Sequence, residues 1–211
     1  ENESWSSDSS EFRFVYNQRG HQMMRVIGLR ADSGSARVIL EETSKTFIDY
    51  SQKFFYQPIR GGAEFLWASE RDGCNRLYRH DTASGKELSA LTPKDAVLRE
   101  VLKVDEENGE ASISLLGMPG TDPYHLHFAR VKLDGGGFTR LTDGDGAHSL
   151  TWSPDGKHYI DTWSRVDQPP VTEIRRASDG TKIAELERAD DSLLQAKGWS
   201  RPERFVATGR D

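Results

Sequence analysis

A strand, a glycine-centred turn and a second strand recur four times along this chain at nearly constant spacing. The copies run over residues 25–40 around Gly34, 77–92 around Gly85, 126–142 around Gly135 and 172–186 around Gly180. Successive turn glycines lie 51, 50 and 45 residues apart, and the second and third copies close alike, on Leu91-Thr92 and Leu141-Thr142. Between them the pattern is alternation: Phe12, Phe14 and Tyr16 interleave with Arg13, Val15 and Asn17. Short runs such as Val38-Ile39-Leu40 and Phe65-Leu66-Trp67, bounded by Gly, Asp and Ser, read as strands. Only 94–102 and 190–197 read as helical.

A repeat of roughly 45–50 residues holding several short strands has the size of one β-propeller blade. The expected fold is therefore all-β, with about four blades, each a four-stranded antiparallel sheet. Approximate blade bounds are 5–45, 46–95, 96–146 and 147–200, with 201–211 a further strand. A second kind of punctuation supports this layout: Trp152-Ser153-Pro154-Asp155-Gly156-Lys157, with a degraded copy in Trp5-Ser6-Ser7-Asp8-Ser9-Ser10. Pro presets φ, Asp bonds the nearby backbone and Gly accepts positive φ, so the first is a turn with a mechanism.

Composition excludes several classes of function. The formal charge of −6 is the wrong sign for a nucleic-acid or other phosphate-binding surface. One cysteine, Cys74, leaves no internal disulfide and no cysteine-rich metal site. No apolar run reaches the 18 residues of a membrane-spanning helix, and Glu1-Asn2-Glu3-Ser4 lacks the pattern of a signal peptide. Nine Phe, six Tyr and five Trp are the aromatic content of a folded chain.

Three segments are more specific: Tyr16-Asn17-Gln18-Arg19-Gly20-His21-Gln22; Phe65-Leu66-Trp67-Ala68-Ser69-Glu70-Arg71-Asp72-Gly73 with Leu77-Tyr78; and Leu133-Asp134-Gly135-Gly136 running on through Leu141-Thr142 and His148-Ser149 to Trp152-Ser153-Pro154-Asp155-Gly156-Lys157. Together they resemble the N-terminal propeller of the dipeptidyl peptidase IV family, within the prolyl oligopeptidase clan of serine peptidases. The resemblance covers nearly the whole chain. It implies the later half of an eight-bladed propeller that sits over an α/β-hydrolase domain, limits entry and holds the peptide N-terminus. It also implies that the closing run Glu203-Arg204-Phe205-Val206-Ala207-Thr208-Gly209-Arg210-Asp211 is the strand leading into that hydrolase domain.

The chain departs from a complete peptidase in one respect: it has no Gly-x-Ser-x-Gly elbow, and Ser200 in Gly198-Trp199-Ser200-Arg201-Pro202 reads as a loop residue. No catalytic residue is expected here, and no metal or cofactor. The family binds the peptide ammonium with adjacent glutamates, but both pairs here read as turns: Glu41-Glu42 between blades, and Glu106-Glu107 beside the Asn108-Gly109 hairpin signal. His125 and His127 share a strand face without a third ligand; His21 reads as a turn residue, and His148 as one bonding across blades. Arg71-Asp72-Gly73 reads as a hairpin turn and Cys74 as a passive small hydrophobe. In Thr46-Phe47-Ile48-Asp49-Tyr50 the resemblance implies a segment near the central cavity, making Asp49 and Tyr50 the substrate-side candidates.

The expected function is thus the non-catalytic propeller portion of a serine exopeptidase that releases dipeptides from peptide N-termini. Its partners are the peptide substrate and the hydrolase domain of the same chain, with self-association of open sheet faces a further expectation. By resemblance the setting is periplasmic or secreted. The alternative is a stand-alone propeller scaffold for protein interactions.

Overall fold

The computed structural model describes residues 2–203 and 205–210. Among them, sixteen strands form four antiparallel sheets, each a four-stranded meander. The first sheet holds β1 (Ser4–Trp5), β2 (Glu11–Asn17), β3 (Met23–Arg30) and β4 (Ala36–Thr43); the second holds β5 (Tyr56–Ile59), β6 (Glu64–Ser69), β7 (Arg76–Asp81) and β8 (Glu87–Ala90). The third holds β9 (Val97–Asp105), β10 (Glu110–Leu116), β11 (His127–Lys132) and β12 (Phe138–Arg140); the fourth holds β13 (Ala147–Trp152), β14 (His158–Arg165), β15 (Gln168–Arg176) and β16 (Lys182–Arg188). One short helix, α1 (Ser192–Ala196), follows.

Each periodic glycine falls at the same point, the turn between the third and fourth strands of its sheet. There are two reasons for glycine. All four have positive φ, between 67° and 85°. Three of the turns also seat on the outer strand of the preceding sheet. A Cβ on Gly85 would collide with Ile39 O of β4, and one on Gly180 would stand 2.8 Å from Arg140 O of β12. The degraded punctuation copy folds like the intact one. Ser6 donates to Asp8 as Ser153 does to Asp155, at 2.6 and 2.7 Å, and Ser9 takes the positive-φ place of Gly156.

Alternation then assigns the faces. Val15, Met24 and Val26 of the first sheet pack on Tyr56, Phe65 and Trp67 of the second. Leu66 and Leu77 of the second meet Leu98, Ile113 and Val131 of the third. Phe128 and Leu141 meet Tyr159 and Ala177 of the fourth. Successive sheets thus pack face to face as propeller blades.

The structure corrects three local expectations. Residues 94–102 are not helical, because most of them belong to β9. Two bulges against β10 break its strict alternation, and the ladder with burial of Leu98 overrides the local propensity of Lys94-Asp95-Ala96. Glu41 and Glu42 end β4 instead of forming a turn, since Arg25 pairs with Glu41 across the sheet. Glu203 and residues 205–210 form no strand; Arg204 and Asp211 lie outside the described residues.

Candidate functional site

A meander decides which loops share an end of the sheet. Turns between first and second, and third and fourth, strands leave one end. The hairpins between second and third strands and the outer-to-inner crossovers leave the other. The 44–55 crossover therefore sits beside the 18–22 and 70–75 hairpins.

The 18–22 hairpin props the crossover. Ile48 N donates to His21 O at 2.7 Å, and Gln22 Nε2 donates to Lys45 O and Thr46 O at 3.3 and 3.2 Å. The His21 ring stacks on Tyr50 with centroids 4.2 Å apart and meets Phe47 edge-on at 5.5 Å. Sequence reading missed His21 in this role. Its polar turn was visible, but its contact with a segment some 25 residues on was not.

Asp49 caps its own turn. Its Oδ1 accepts from Gln52 N, Ser51 N and Ser51 Oγ, each at 3.1 Å, and these bonds hold the carboxyl below the usual carboxylate range. Behind it lies a cleft of about 260 Å³ lined by Glu42, Asp49, Lys53, Phe54, Trp67 and Glu70, among others. Trp67 Nε1 donates to Glu42 Oε2 at 2.7 Å, and Lys53 pairs with Glu70 at 2.6 Å. Acids and bases balance in this cleft, so it has no net charge with which to select an ion. The crossover beside it offers solvent aromatic surface: Phe47, which lines the cleft, and Tyr50 are 51% and 39% exposed.

The other candidates do not converge. Glu106 and Glu107 lie in the β9–β10 turn, at the opposite end of the sheet, where Glu106 accepts from Arg60 N at 2.5 Å. Arg71 lies 3.8 Å over the Tyr78 ring, and Asp72 accepts from Tyr78 Oη and Arg76, so the Arg-Asp-Gly turn is engaged by its own sheet. Cys74 is half-buried beside that turn. Only His127 lies on β11; His125 precedes it and faces Asp145 at 3.4 Å, whereas His127 faces Thr142. His148 joins the blades through its main chain, His148 N to Leu126 O at 2.9 Å, while its ring binds within the fourth sheet. Among the described residues no three His, Cys, Asp or Glu side chains are grouped to hold a metal.

A family model described as dipeptidyl peptidase IV (DPP IV) N-terminal region matches residues 1–170. Among solved structures, dipeptidyl peptidase 4 of Porphyromonas gingivalis superposes with a TM-score of 0.65 at 20% identity over 90% of this chain. A Bacteroides ovatus ATCC 8483 protein assigned as a dipeptidyl aminopeptidase IV gives 0.64, also at 20% over 90%. At this identity the likeness is one of fold. The matches take in 26% and 29% of those chains, so this chain spans less than a third of either.

Proposed function

Because the chain belongs to the dipeptidyl peptidase IV N-terminal-region family, we propose that it is the non-catalytic propeller portion of a serine exopeptidase releasing dipeptides from peptide N-termini. Its blades wall the route to a hydrolase domain carried elsewhere in the longer protein. That domain supplies the nucleophile, the general base and the oxyanion hole. In this reading the crossover end faces the substrate, with Tyr50 and Phe47 as apolar surface for a short peptide and Asp49 as the carboxylate beside it. The observation that carries the reading is the family match over residues 1–170, which takes in three blades and the first two strands of the fourth, with no nucleophile elbow in the sequence. The balanced charge of the 44–55 cleft agrees with a wall and positioning surface, since an ammonium trap needs an excess of carboxylate.

The test uses an Ala-Pro chromogenic substrate with this chain and with the longer protein. The chain alone is expected to give no turnover. In the longer protein Tyr50→Ala is expected to raise KM about tenfold with kcat little changed, the loss of one aromatic contact. Turnover by the chain alone would overturn the non-catalytic reading, and an unchanged KM would remove Tyr50 from the substrate side.

A further inference from the structure

Two buried histidines from neighbouring blades meet where the third sheet joins the fourth. His127 opens β11 and His148 lies in β13; their ring centroids are 4.8 Å apart, and they are 0% and 4% exposed.

The two rings differ in their hydrogen-bond partners. His148 Nδ1 faces Asp161 Oδ1 at 2.8 Å and Nε2 faces Gly144 O at 2.9 Å, so both of its nitrogens have an oxygen partner. Asp161 is in turn 3.2 Å from Arg175 Nε, and Arg175 also pairs with Glu173 and Asp143. Lys182 closes the set on Glu173 at 3.0 Å.

His127 is placed otherwise. Thr142 Oγ1 accepts from Phe128 N at 3.0 Å and lies 3.1 Å from His127 Nδ1. His127 Nε2 has no partner among the described residues, so a doubly protonated ring would bury an N–H with no acceptor. The titratable and charged groups around it are His125 ahead of β11, Arg140 on β12 and His148 on β13. Behind His148 stand Asp161 on β14, Glu173 and Arg175 on β15, and Asp143 and Asp145 in the crossover. None of these carboxylates bonds His127; all are paired with other cations.

We propose that His127 and His148 form an acid-sensitive clasp between the third and fourth blades, closed while His127 is neutral and released when it takes a proton beside His148. Part of this boundary is open. A cleft of about 1020 Å³ separates the same two sheets, with Ser112, Ser114 and Arg130 on one wall and Leu150 and Trp152 on the other. Burial, then the positive charge of His148, Arg140 and His125, pushes the His127 pKa down to about 4, against 6.5 ordinarily. Between those values the unfolded chain binds the proton that the folded chain refuses. The His127 contribution to stability is thus complete above pH 6.5 and is lost as pH drops towards 4, by roughly 300-fold in the folding equilibrium.

Urea unfolding of this chain from pH 4.5 to 7.5, beside His127→Asn, tests the clasp; the Asn amide can donate to or accept from Thr142 and does not titrate. Stability of the unsubstituted chain is expected to fall on acidification, with the variant's curve flatter by about one proton. Parallel curves would overturn the proposal. Ring ¹⁵N NMR on the unsubstituted chain keeps the question open to refutation should the variant fail to fold. A neutral His127 at pH 5 supports the clasp, and a His127 that titrates near 6.5 sinks it.

Discussion

Towards the second sheet the third presents Ala111, Ile113, Leu115, Ala129 and Val131, whereas towards the fourth the same strands present Ser112, Ser114, Phe128, Arg130 and Lys132. The first boundary is a continuous apolar layer in which Leu66, Leu77, Leu98, Ile113 and Leu115 are at most 1% exposed. At the second, the fully buried apolar contact shrinks to Phe128, Leu141, Tyr159 and Ala177. The fourth sheet also buries charge within itself: Arg175, 3% exposed, donates to Glu173 Oε2 at 2.5 and 3.0 Å and to Gly180 O at 2.9 Å, all in its own sheet. Strand alternation gives one sheet two independent faces, so neighbouring joints in a propeller can run on different forces. Burial holds the dry joint and is insensitive to pH and salt. The wet joint depends on every charge in it having its partner, because each is costly to leave alone.

That asymmetry predicts unequal costs for removing one side chain at each joint. Arg175→Ala leaves Asp161 and Glu173 buried without their main cation. It is expected to cost about 3–5 kcal/mol, measured by urea unfolding. Leu98→Ala at the dry joint leaves a cavity among Ile113 and its neighbours and is expected to cost about 3 kcal/mol. The two should also differ in kind. The Leu98→Ala loss is expected to be the same at low and high salt, and the Arg175→Ala loss to change with salt. Equal salt response would erase the distinction between the joints.

Much of this was legible from the sequence, for identifiable reasons. The four sheets could be counted because each third-to-fourth-strand turn needs a residue with positive φ, and only glycine supplies that cheaply. The buried ion pairs also left a trace. Glu173-Ile174-Arg175 and Glu11-Phe12-Arg13 each set an acid and a base two residues apart, which puts both on one strand face, where they pair. The His127–His148 contact was not legible, since it forms only when two blades meet. The strand β9 was hidden by its bulges, which turn alternation into something like helical spacing. Asp49 and Tyr50 were reached through family resemblance. The sequence carried no sign that His21 would stack on Tyr50 or that Asp49 would cap its own turn.

The smallest predicted effects come from the turns, and they separate backbone conformation from blade contact. Gly180 and Gly34 occupy the same turn in the fourth and first sheets, at φ of 75° and 67°. An added Cβ at Gly180 would meet Arg140 O, Leu141 Cα and Leu141 O at 2.8–2.9 Å, all main-chain atoms of the third sheet's outer edge. At Gly34 it would meet nothing within 4 Å. Gly34→Ala therefore carries the left-handed backbone cost alone, about 1 kcal/mol. Gly180→Ala adds displacement of the neighbouring blade, for a total of about 2–3 kcal/mol. Thermal unfolding of the two variants side by side measures the difference. If both lose the same amount, the fourth sheet yields without resistance at this edge, and the Gly180 turn adds nothing to the joint beyond its own backbone conformation.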